Sequence, residues 1–528
     1  MIERFTNRTD FESYADFASG FRLVIPENFN FAYDVVDAWA AEEPDREALL
    51  WTNPAGEERR FTFADMKELS DKTAAFFQSL GVGKGTRVML MLKRHWEFWP
   101  SMMALHKLGA VAIPATHLLT AEDIEYRCRM ADIKVIVAAG DEDMVNHINE
   151  AKPHCKSVEW LISTGPCVPE GWLDFGKGIE NAPEFKRPAH INDNSDVMLL
   201  YFTSGTSGTS KGVMLSERNM CASLHTYSEV AENWIINRLP AGQKLPLSHM
   251  TLLPLFHMAC FVCVMSYPPA GWALNLCGDI RDFYRDLGLM HSDVMASAPM
   301  LVETIYNDMK RGRVSRLNGL WDLCCSSAAL DPKMLLELAQ NGFVVNQCYG
   351  MTETFGDGIL NFTQVEKHMS AVGKPDDHVQ YKLDETGEIC IKGDCVMLGY
   401  YKDPEATAEV IDADGWFHTG DLARMDEEGF YYITGRKKNL IILDSGENVS
   451  PEELEKLLGK CADIKECIVK EMGKKIGAVI CCEPEKEQTV RTFVTELNRT
   501  LPLYKRISAV ECTAEPLPRN ALGKLLRR

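Results

Sequence analysis

The sequence lacks an uninterrupted apolar segment of membrane-spanning length, and it has a deficit of positive charge. From Leu245 to Gly278 there is no Asp, Glu, Lys or Arg, but Pro254, Pro268 and Pro269 interrupt this stretch. A membrane helix needs about 20 consecutive, mainly apolar residues, so the stretch predicts a buried strand, a helix and a pocket wall. The formal charge of −20, from 56 basic and 76 acidic side chains, argues against nucleic acid and anionic membranes as partners.

Two further absences favour a reducing compartment. The first residues are charged from Glu3 onward and have no apolar core of a secretory signal. The 17 cysteines include one C-x-x-C pair, Cys260 and Cys263, without the second pair that a zinc site of this type needs. We therefore expect buried, reduced thiols and a cytoplasmic protein.

The chain has 528 residues, which is enough for more than one domain. Helix-like patterns alternate with short runs typical of buried strands, such as residues 86–92 and 135–139, and this predicts an α/β fold with a largely parallel sheet. Nearer the C-terminus, Ser450 and Glu453 have the spacing of a helix-capping pair, and strand-like runs follow. This region predicts a small α+β unit.

The predicted architecture is a large N-terminal domain of layered sheets and helices with a small, mobile C-terminal domain. Three consecutive cations, Arg436 to Lys438, mark a candidate hinge between them. We expect the large domain over residues 1–435, the hinge over residues 436–439 and the small domain over residues 440–528.

A loop rich in glycine and hydroxyl side chains follows an apolar run at Tyr201. Glycine lets backbone N–H groups approach a ligand closely, hydroxyls add donors, and Lys211 adds a positive charge, so the loop predicts a polyphosphate site. It differs from the Walker A motif because its lysine precedes the glycine, and a flexible linker is the alternative. The residues concerned are Thr203, Ser204, Gly205, Thr206, Ser207, Gly208, Thr209, Ser210, Lys211 and Gly212.

Four further motifs follow along the chain, and each is weak when taken alone. Together they resemble the adenylate-forming superfamily, which comprises acyl-CoA synthetases, luciferases and the adenylation domains of peptide synthetases. The resemblance covers nearly the whole chain. The motifs are QCYGMTET (347–354), GWFHTGDL (415–422), ITGRKKN (433–439) and PRNALGKLLRR (518–528), accompanied by LPLFH (253–257), AVGKP (371–375), GEICIKG (387–393) and MLGYYKDPEAT (397–407).

The resemblance implies a site for ATP and Mg²⁺ in the large domain. The loop from Thr203 to Lys211 would hold the β- and γ-phosphates. Thr352 would contact the α-phosphate, and Glu353 would hold Mg²⁺ against it. Tyr349 would stack on the adenine ring.

The resemblance also assigns roles to residues near the C-terminus. Asp421 would bind both ribose hydroxyls, assisted by Arg436. Lys524 would bridge the substrate carboxylate and the α-phosphate. In the family the small domain then rotates about a hinge residue, here Lys438, and a loop around Gly446 would line the thiol channel.

The acid-binding pocket is less well defined by the sequence. His257 is a candidate guide for the substrate carboxylate, with a hydrogen-bonded core histidine as the alternative. Residues 25–40 and 95–119 resemble medium-chain acyl-CoA synthetases, whereas residues 253–261 resemble the pocket wall of aryl-acid and long-chain ligases. Ser326 and Ser327 stand where the family commonly has glycines. The other pocket candidates, whose apolar character favours an apolar acid, are Met258, Ala298, Pro299, Ala328, Gly350 and Phe355.

The leading hypothesis is an ATP-dependent acid–CoA ligase that converts a fatty or aryl acid, ATP and CoA into acyl-CoA, AMP and pyrophosphate. The alternative is a free-standing adenylation enzyme that loads an acyl-carrier protein. Since the sequence ends at Arg528, close after Lys524, we expect no fused carrier domain. A catalytically silent nucleotide-binding relative is disfavoured because Lys524, Glu353, Asp421 and Arg436 are all present. The oligomeric state is left open between monomer and homodimer.

Overall fold

A computed structural model describes residues 2–9, 11, 12, 16, 19–203, 210–223, 247–326, 330–361, 365–375, 379–443, 448–473, 475–519 and 525. Two compact units make up the chain. Unit 1 comprises residues 1–380 and 392–415, and unit 2 comprises residues 381–391 and 416–528. The sequence analysis expected the large domain to cover residues 1–435. In the structure, residues 381–391 and 416–435 belong instead to unit 2, together with the C-terminal part. The expected hinge at 436–439 concerns movement and stays a prediction.

The first sheet of unit 1 has eight strands, and its pairs are parallel except at the two edges. In spatial order the strands are β15 (Gly358–Asn361), β14 (Val344–Gly350), β13 (Asp322–Cys325), β12 (Val294–Ser297), β10 (Ser248–Thr251), β11 (Ala273–Leu276), β1 (Glu47–Thr52) and β2 (Glu58–Thr62). A core of apolar side chains, including Met250, Met295 and Leu323, packs against it.

The second sheet of unit 1 also has eight strands, and antiparallel pairing is confined to one end. Its order is β18 (Gly399–Tyr400), β9 (Lys211–Ser216), β8 (Val197–Thr203), β4 (Val111–Pro114), β3 (Arg87–Met91), β5 (Val135–Ala138), β6 (Trp160–Ser163) and β7 (Leu173–Asp174). The strands predicted at residues 86–92 and 135–139 are β3 and β5, buried in the middle of this sheet. The predicted α/β fold is thereby confirmed.

Helices connect the parallel strands of unit 1. A π-helix over Ala32–Asp37 runs directly into the first α-helix. The α-helices are α1 (Ala38–Glu42), α2 (Phe63–Ser79), α3 (Phe98–Leu108), α4 (Ala121–Ala131), α5 (Glu142–Ala151), α6 (Phe175–Glu180), α7 (Met258–Ser266), α8 (Phe283–Leu289), α9 (Pro299–Lys310), α10 (Pro332–Gln340) and α11 (Pro404–Val410). From Leu247 onward, the uncharged stretch contains β10, α7 and β11. Among the described residues we find no helix with the length and apolarity to cross a membrane.

Unit 2 is built around two smaller sheets and a two-stranded ribbon. The sheets are β16 (Gln380–Leu383), β17 (Glu388–Lys392), β19 (Phe417–Met425) and β20 (Tyr431–Arg436) in one, and β23 (Glu466–Met472), β24 (Lys475–Cys481) and β25 (Ala509–Thr513) in the other. The ribbon pairs β21 (Ile441–Ile442) with β22 (Asn448–Val449), and the helices are α12 (Pro451–Leu458) and α13 (Glu487–Thr500). The predicted cap of α12 is confirmed, because the Ser450 side chain accepts a hydrogen bond from the Glu453 amide.

All 17 cysteines are free thiols. Most are buried, and Cys167 in unit 1 is the one classed as exposed. Cysteine is among the residues most often found fully inside a protein, so this distribution matches a structural role for most of the thiols.

Candidate active site

The two ends of the predicted phosphate loop are fixed by β8 and β9. Thr203, the last residue of β8, pairs with Lys211, the first residue of β9, in an antiparallel ladder. The Tyr126 hydroxyl donates a hydrogen bond to the Ser210 carbonyl oxygen at 2.8 Å and so holds the exit of the loop. Ser204, Gly205, Thr206, Ser207 and Gly208 lie outside the described residues.

The structure links Lys211 and Glu353 through a residue that the sequence analysis did not single out. Tyr400 is 8% exposed, and the Lys211 Nζ lies 4.7 Å from the centroid of its ring. The Tyr400 hydroxyl donates a hydrogen bond to Glu353 Oε1 at 3.0 Å. A cation on an aromatic face is worth about 0.5–2 kcal/mol. Tyr400 thus contacts both Lys211, which is expected at the phosphates, and Glu353, which is expected at the metal ion.

Tyr400 remains a hydrogen-bond donor over the physiological pH range. Burial raises its pKa, and the nearby Glu353 charge raises the pKa further. Both effects disfavour the phenolate, because a second negative charge would be buried next to a carboxylate. The neutral hydroxyl therefore orients Glu353 without neutralising its charge.

The position of Tyr400 follows from a short strand. β18 pairs with β9 so that Tyr400 lies opposite Val213. Gly399 has a φ of +131°, and a Cβ there would come within 2.8 Å of the Thr407 side chain, so this bend depends on glycine. The motif MLGYYKDPEAT could have revealed Tyr400, but its contact with β9 is not readable from spacing.

Tyr349, Thr352 and Glu353 lie at the end of β14 and in the turn that follows it. Tyr349 is half-buried and pairs with Ile359 of β15. A Cβ on Gly358 would lie 1.8 Å from the Tyr349 carbonyl oxygen, so only glycine allows β15 to approach this closely. Thr352 and Glu353 are half-buried in a 3₁₀ turn over Thr352–Thr354. The three predicted residues therefore lie within one short segment of unit 1.

The predicted acid-pocket residues meet around helix α7. His257 caps this helix, since its Nδ1 accepts a hydrogen bond from the Ala259 amide at 3.2 Å. This contact fits the hydrogen-bonded alternative, and guidance of a carboxylate stays a prediction. Phe355 is fully buried and its ring lies 5.9 Å from that of Phe261 in α7. Met258 is also buried in α7.

The remaining pocket candidates lie elsewhere in unit 1. Ala298 is the N-cap of α9 and Pro299 is its first residue. Gly350 ends β14 and is exposed. Ala328 and Ser327 lie outside the described residues. For Ala298, Pro299 and Gly350 a role at the substrate stays a prediction.

In unit 2, Asp421 and Arg436 form the predicted pair. They lie directly opposite each other in β19 and β20, and Arg436 Nε is 2.7 Å from Asp421 Oδ1. The Asp421 side chain is 6% exposed and that of Arg436 is 48% exposed. The arginine thus fixes the carboxylate while its own side chain reaches the surface.

A second residue that sequence reasoning missed, Glu388, organises the neighbourhood of Asp421. Its carboxylate accepts a hydrogen bond from the Gly420 amide at 2.7 Å and pairs with Lys437 Nζ at 2.8 Å. His418 Nδ1 lies 3.3 Å from the same carboxylate. The hydrogen bond to Glu388 is the main reason that the pKa of Lys437 is raised. Glu388 therefore links Gly420, the residue before Asp421, to Lys437, the residue after Arg436.

The same network contains the side chains of a possible metal site. The ligand atoms of Asp384, Cys390 and His418 lie within 4.8 Å of one another. However, the Lys437 ammonium already supplies positive charge here, 3.9 Å from Asp384 and 2.8 Å from Glu388. We assign this cluster to the support of Gly420 and Asp421 within β19 and not to a metal.

The expected hinge residue Lys438 lies in an exposed 3₁₀ turn over Lys437–Asn439. The Asn439 side chain donates a hydrogen bond to Glu452 Oε1 at 2.6 Å and ties this turn to the start of α12. Lys524 and Gly446 lie outside the described residues, so their predicted roles stay predictions.

Comparisons with known proteins agree with this picture. The AMP-binding enzyme family model matches residues 36–401. A long-chain-fatty-acid–CoA ligase of Bacillus subtilis is 27% identical over 93% of this chain and 92% of its own. The 4-coumarate–CoA ligase 2 of Oryza sativa subsp. japonica is 29% identical over 93% and 90%.

Solved structures share the fold. An anthranilate CoA ligase in complex with anthranoyl-AMP superposes with a TM-score of 0.80 at 22% identity, covering 96% of this chain and 97% of its own. The o-succinylbenzoate CoA synthetase of Bacillus subtilis, in complex with ATP and magnesium, has a TM-score of 0.78 at 22% identity, covering 93% and 98%. The predicted fold class is confirmed by these likenesses.

Proposed function

Because this chain belongs to the AMP-binding enzyme family, we propose that it joins an apolar carboxylic acid to CoA at the expense of ATP. In the first step the acid carboxylate attacks the α-phosphorus of ATP, the bond to pyrophosphate breaks, and an acyl-AMP forms. In the second step the CoA thiol attacks the acyl carbon and AMP leaves. The products are acyl-CoA, AMP and pyrophosphate.

The arrangement of Lys211, Tyr400 and Glu353 is the observation that supports this proposal best. Both reactants of the first step are anionic, so the site must supply positive charge where they meet. Lys211 follows the loop proposed for the β- and γ-phosphates, and Tyr400 holds it near Glu353. Such an arrangement suits a polyphosphate ligand that carries a metal ion.

The residues present fit Mg²⁺. This ion takes oxygen ligands and is usually held by one or two carboxylates together with substrate phosphates. Glu353 offers a half-buried carboxylate that Tyr400 orients. When bound, Mg²⁺ would neutralise negative charge on the α-phosphate. The chain's own part is to fix the carboxylate, and Thr352 in the same turn would donate to the phosphate.

The residues proposed for the nucleoside are Tyr349 and the pair in unit 2. A half-buried tyrosine at a strand end offers a ring face for adenine. Arg436 holds the Asp421 side chain, whose two carboxyl oxygens can accept hydrogen bonds from two ribose hydroxyls. We further propose that Lys524 acts on the carboxylate and α-phosphate, and that Lys438 is the hinge for the second step.

The substrate class is proposed from the apolar residues around α7. Met258, Phe261 and Phe355 are buried apolar side chains, which suit the hydrocarbon part of a fatty or aryl acid. The relatives described above are named for a long-chain fatty acid, 4-coumarate and anthranilate, which also favours an apolar acid. A cytoplasmic location is proposed for this reaction.

AMP release by the purified enzyme tests the proposal. The assay contains ATP and Mg²⁺ with acids from acetate through medium and long fatty acids to aryl acids and amino acids, with and without CoA. We expect turnover with one class of apolar acid that depends on CoA. Acid-dependent pyrophosphate exchange without any effect of CoA would instead indicate a carrier-protein acceptor. If no acid of the panel gives pyrophosphate exchange, the ligase function is contradicted and the catalytically silent relative is favoured.

A further inference from the structure

Three thiols from three different elements meet in unit 1. Cys263 lies in α7, Cys324 in β13 and Cys348 in β14. The Sγ atoms of Cys324 and Cys348 are 3.1 Å apart, and Cys263 lies close enough to Cys324 to shift the pKa of that thiol. Cys263 and Cys324 are 7% and 8% exposed, and Cys348 is half-buried. None of the three has a role in the proposed reaction.

The register of the sheet explains the contact between Cys324 and Cys348. β13 and β14 are parallel, and Cys324 lies opposite Asn346. Side chains of a strand alternate between the two faces, so Cys348, two residues beyond Asn346, lies on the same face as Asn346. The two sulfurs are diagonal neighbours on that face. Their proximity is therefore fixed by the sheet and does not depend on a loop.

The three thiols are not equivalent. Cys324 contacts the Cys348 thiol, and its interactions with Cys263 and Cys348 lower its pKa despite its burial. The same interactions raise the pKa of Cys263 and of Cys348. The two neighbouring thiols therefore favour the ionised form of Cys324, and the Cys348 sulfur is in contact with it. A thiolate next to a second thiol is the arrangement of a redox-sensitive cysteine pair.

We propose that Cys324 and Cys348 are a modification site at which a peroxide forms a reversible disulfide. The Cys324 thiolate attacks the peroxide, so that an S–O bond forms, the O–O bond breaks and hydroxide leaves, taking up the proton that Cys324 released. The Cys348 thiol then attacks the sulfenic sulfur, the S–S bond forms, and the S–O bond breaks with loss of water. Each sulfur is oxidised by one electron, and hydrogen peroxide is reduced to two molecules of water.

The disulfide would act on the nucleotide site, an effect that depends on the proposed function. Cys348 directly precedes Tyr349, the residue proposed to stack on adenine. An S–S bond is about 2.0 Å long, so the bond would draw the two sulfurs about 1 Å closer than the 3.1 Å seen between the thiols. Misplacing a binding group by about 1 Å can cost about 100-fold in rate. Oxidation would therefore slow acid activation, and reduction would restore it.

Another thiol pair in the same unit is a matched control. Cys128 and Cys155 are also buried, and each of the two thiols influences the pKa of the other. Burial is the main cause that raises the pKa of both of these thiols, so neither is poised to ionise. The two pairs therefore differ in thiolate character while sharing proximity.

Peptide mapping of the reduced, full-length protein tests the proposal. The protein is treated with hydrogen peroxide, quenched with catalase, alkylated and digested without reductant for mass spectrometry. We expect a peptide pair linked through Cys324 and Cys348 that dithiothreitol separates, with Cys128 and Cys155 alkylated. Three results would overturn the proposal. They are a disulfide between Cys324 and Cys263, a disulfide between Cys128 and Cys155 formed to the same extent, and irreversible oxidation without any disulfide.

The effect on activity is a separate readout. Pyrophosphate exchange by the wild-type enzyme should fall about 10- to 100-fold on oxidation and recover with dithiothreitol. The exchange rate of Cys348→Ser should be the same before and after peroxide treatment. If this variant does not fold, Cys348→Ala replaces it. Equal inactivation of the variant would overturn the regulatory effect. Because peptide mapping needs no turnover, failure of the proposed ligase function would leave the disulfide result interpretable.

Discussion

Glu353 in unit 1 and Glu388 in unit 2 are carboxylates in contrasting environments. Glu353 is half-buried and receives the hydroxyl of Tyr400. Glu388 is 3% exposed, receives a backbone amide and pairs with a lysine. A buried charge is retained where it is paired and hydrogen-bonded, so Glu388 is suited to holding protein structure. Glu353 is proposed to hold a ligand, because the neutral Tyr400 hydroxyl orients the carboxylate and leaves its charge unchanged.

Glu353→Gln should give the largest effect of the variants that test this contrast. It removes the negative charge proposed to bind Mg²⁺ and keeps the size of the side chain. We expect pyrophosphate exchange to fall about 100- to 1,000-fold, as for the loss of one strong electrostatic contact at a reacting centre, with little change in Tm. The assay is exchange measured over a range of Mg²⁺ concentrations. Glu405→Gln, at an exposed position of α11, is the control, and an equal loss there would contradict the assignment.

Lys438→Pro should separate the two half-reactions. Proline restricts φ at the expected hinge, so we expect pyrophosphate exchange to be retained while acyl-CoA formation falls by at least about 10-fold, since a conformational step can limit turnover. Both half-reactions are measured on the same preparation, with Lys438→Ala as the control that keeps backbone freedom. Equal losses in both half-reactions would rule out a hinge at this residue.

Glu388→Gln should affect stability more than chemistry. The variant weakens the contacts with Gly420 and Lys437, and an unsatisfied buried polar group costs about 1–3 kcal/mol. We expect a lower Tm and a higher KM for ATP, because Gly420 precedes Asp421. Thermal unfolding and ATP kinetics are compared with Glu427→Gln, an exposed position of the same unit. An unchanged Tm with strongly reduced kcat would mean that Glu388 takes part in the chemistry.

Tyr400→Phe should have a smaller and more specific effect. The ring that contacts Lys211 remains, and only the hydrogen bond to Glu353 is lost. Hydrogen bonds to charged groups contribute about 1.5–3 kcal/mol, so we expect the Mg²⁺ concentration for half-maximal exchange to rise about 10-fold or more, with an unchanged KM for the acid. Tyr401→Phe is the control. A change confined to the acid KM would contradict the positioning role.

Glu97 extends the comparison to a buried carboxyl whose ion-pair partner is a histidine: His95 Nδ1 lies 3.8 Å from Glu97 Oε2, and burial lowers the pKa of His95. Burial raises its pKa from 4.5 to about 7, and its Oε2 has no hydrogen-bond partner among the described residues. The folded chain binds this proton more tightly than the unfolded chain, so stability falls as the pH rises from about 4 to about 7. Glu97→Gln should therefore raise Tm at pH 8 by a few degrees and leave it nearly unchanged at pH 4. A lower Tm at pH 8 would contradict this reading of Glu97.

Local patterns predicted the elements that depend on neighbouring residues in the chain. β3, β5 and the Ser450 cap of α12 follow from alternation, apolar runs and capping chemistry. Family motifs named Asp421 and Arg436, whose side chains are in contact, and their role at the ribose stays a prediction. These features need no knowledge of distant contacts.

The features that the sequence analysis missed depend on long-range pairing. Tyr400 reaches Lys211 because β18 adds to the edge of β9, and Glu388 reaches Gly420 because β17 pairs with β19. Long-range pairing also explains why unit 2 includes residues that the sequence analysis expected in the large domain. Residues 381–391 pack with residues 416–528 through these sheets, and no local pattern indicates such a partner.

The single exposed thiol at Cys167 gives the protein a native attachment point for a reporter. A maleimide dye added to the folded chain should react there first, because the other thiols are buried or only partly exposed. One engineered cysteine on the surface of unit 2 would then complete a donor–acceptor pair. Single-molecule energy transfer could follow the proposed domain rotation through each half-reaction without rebuilding a cysteine-free background.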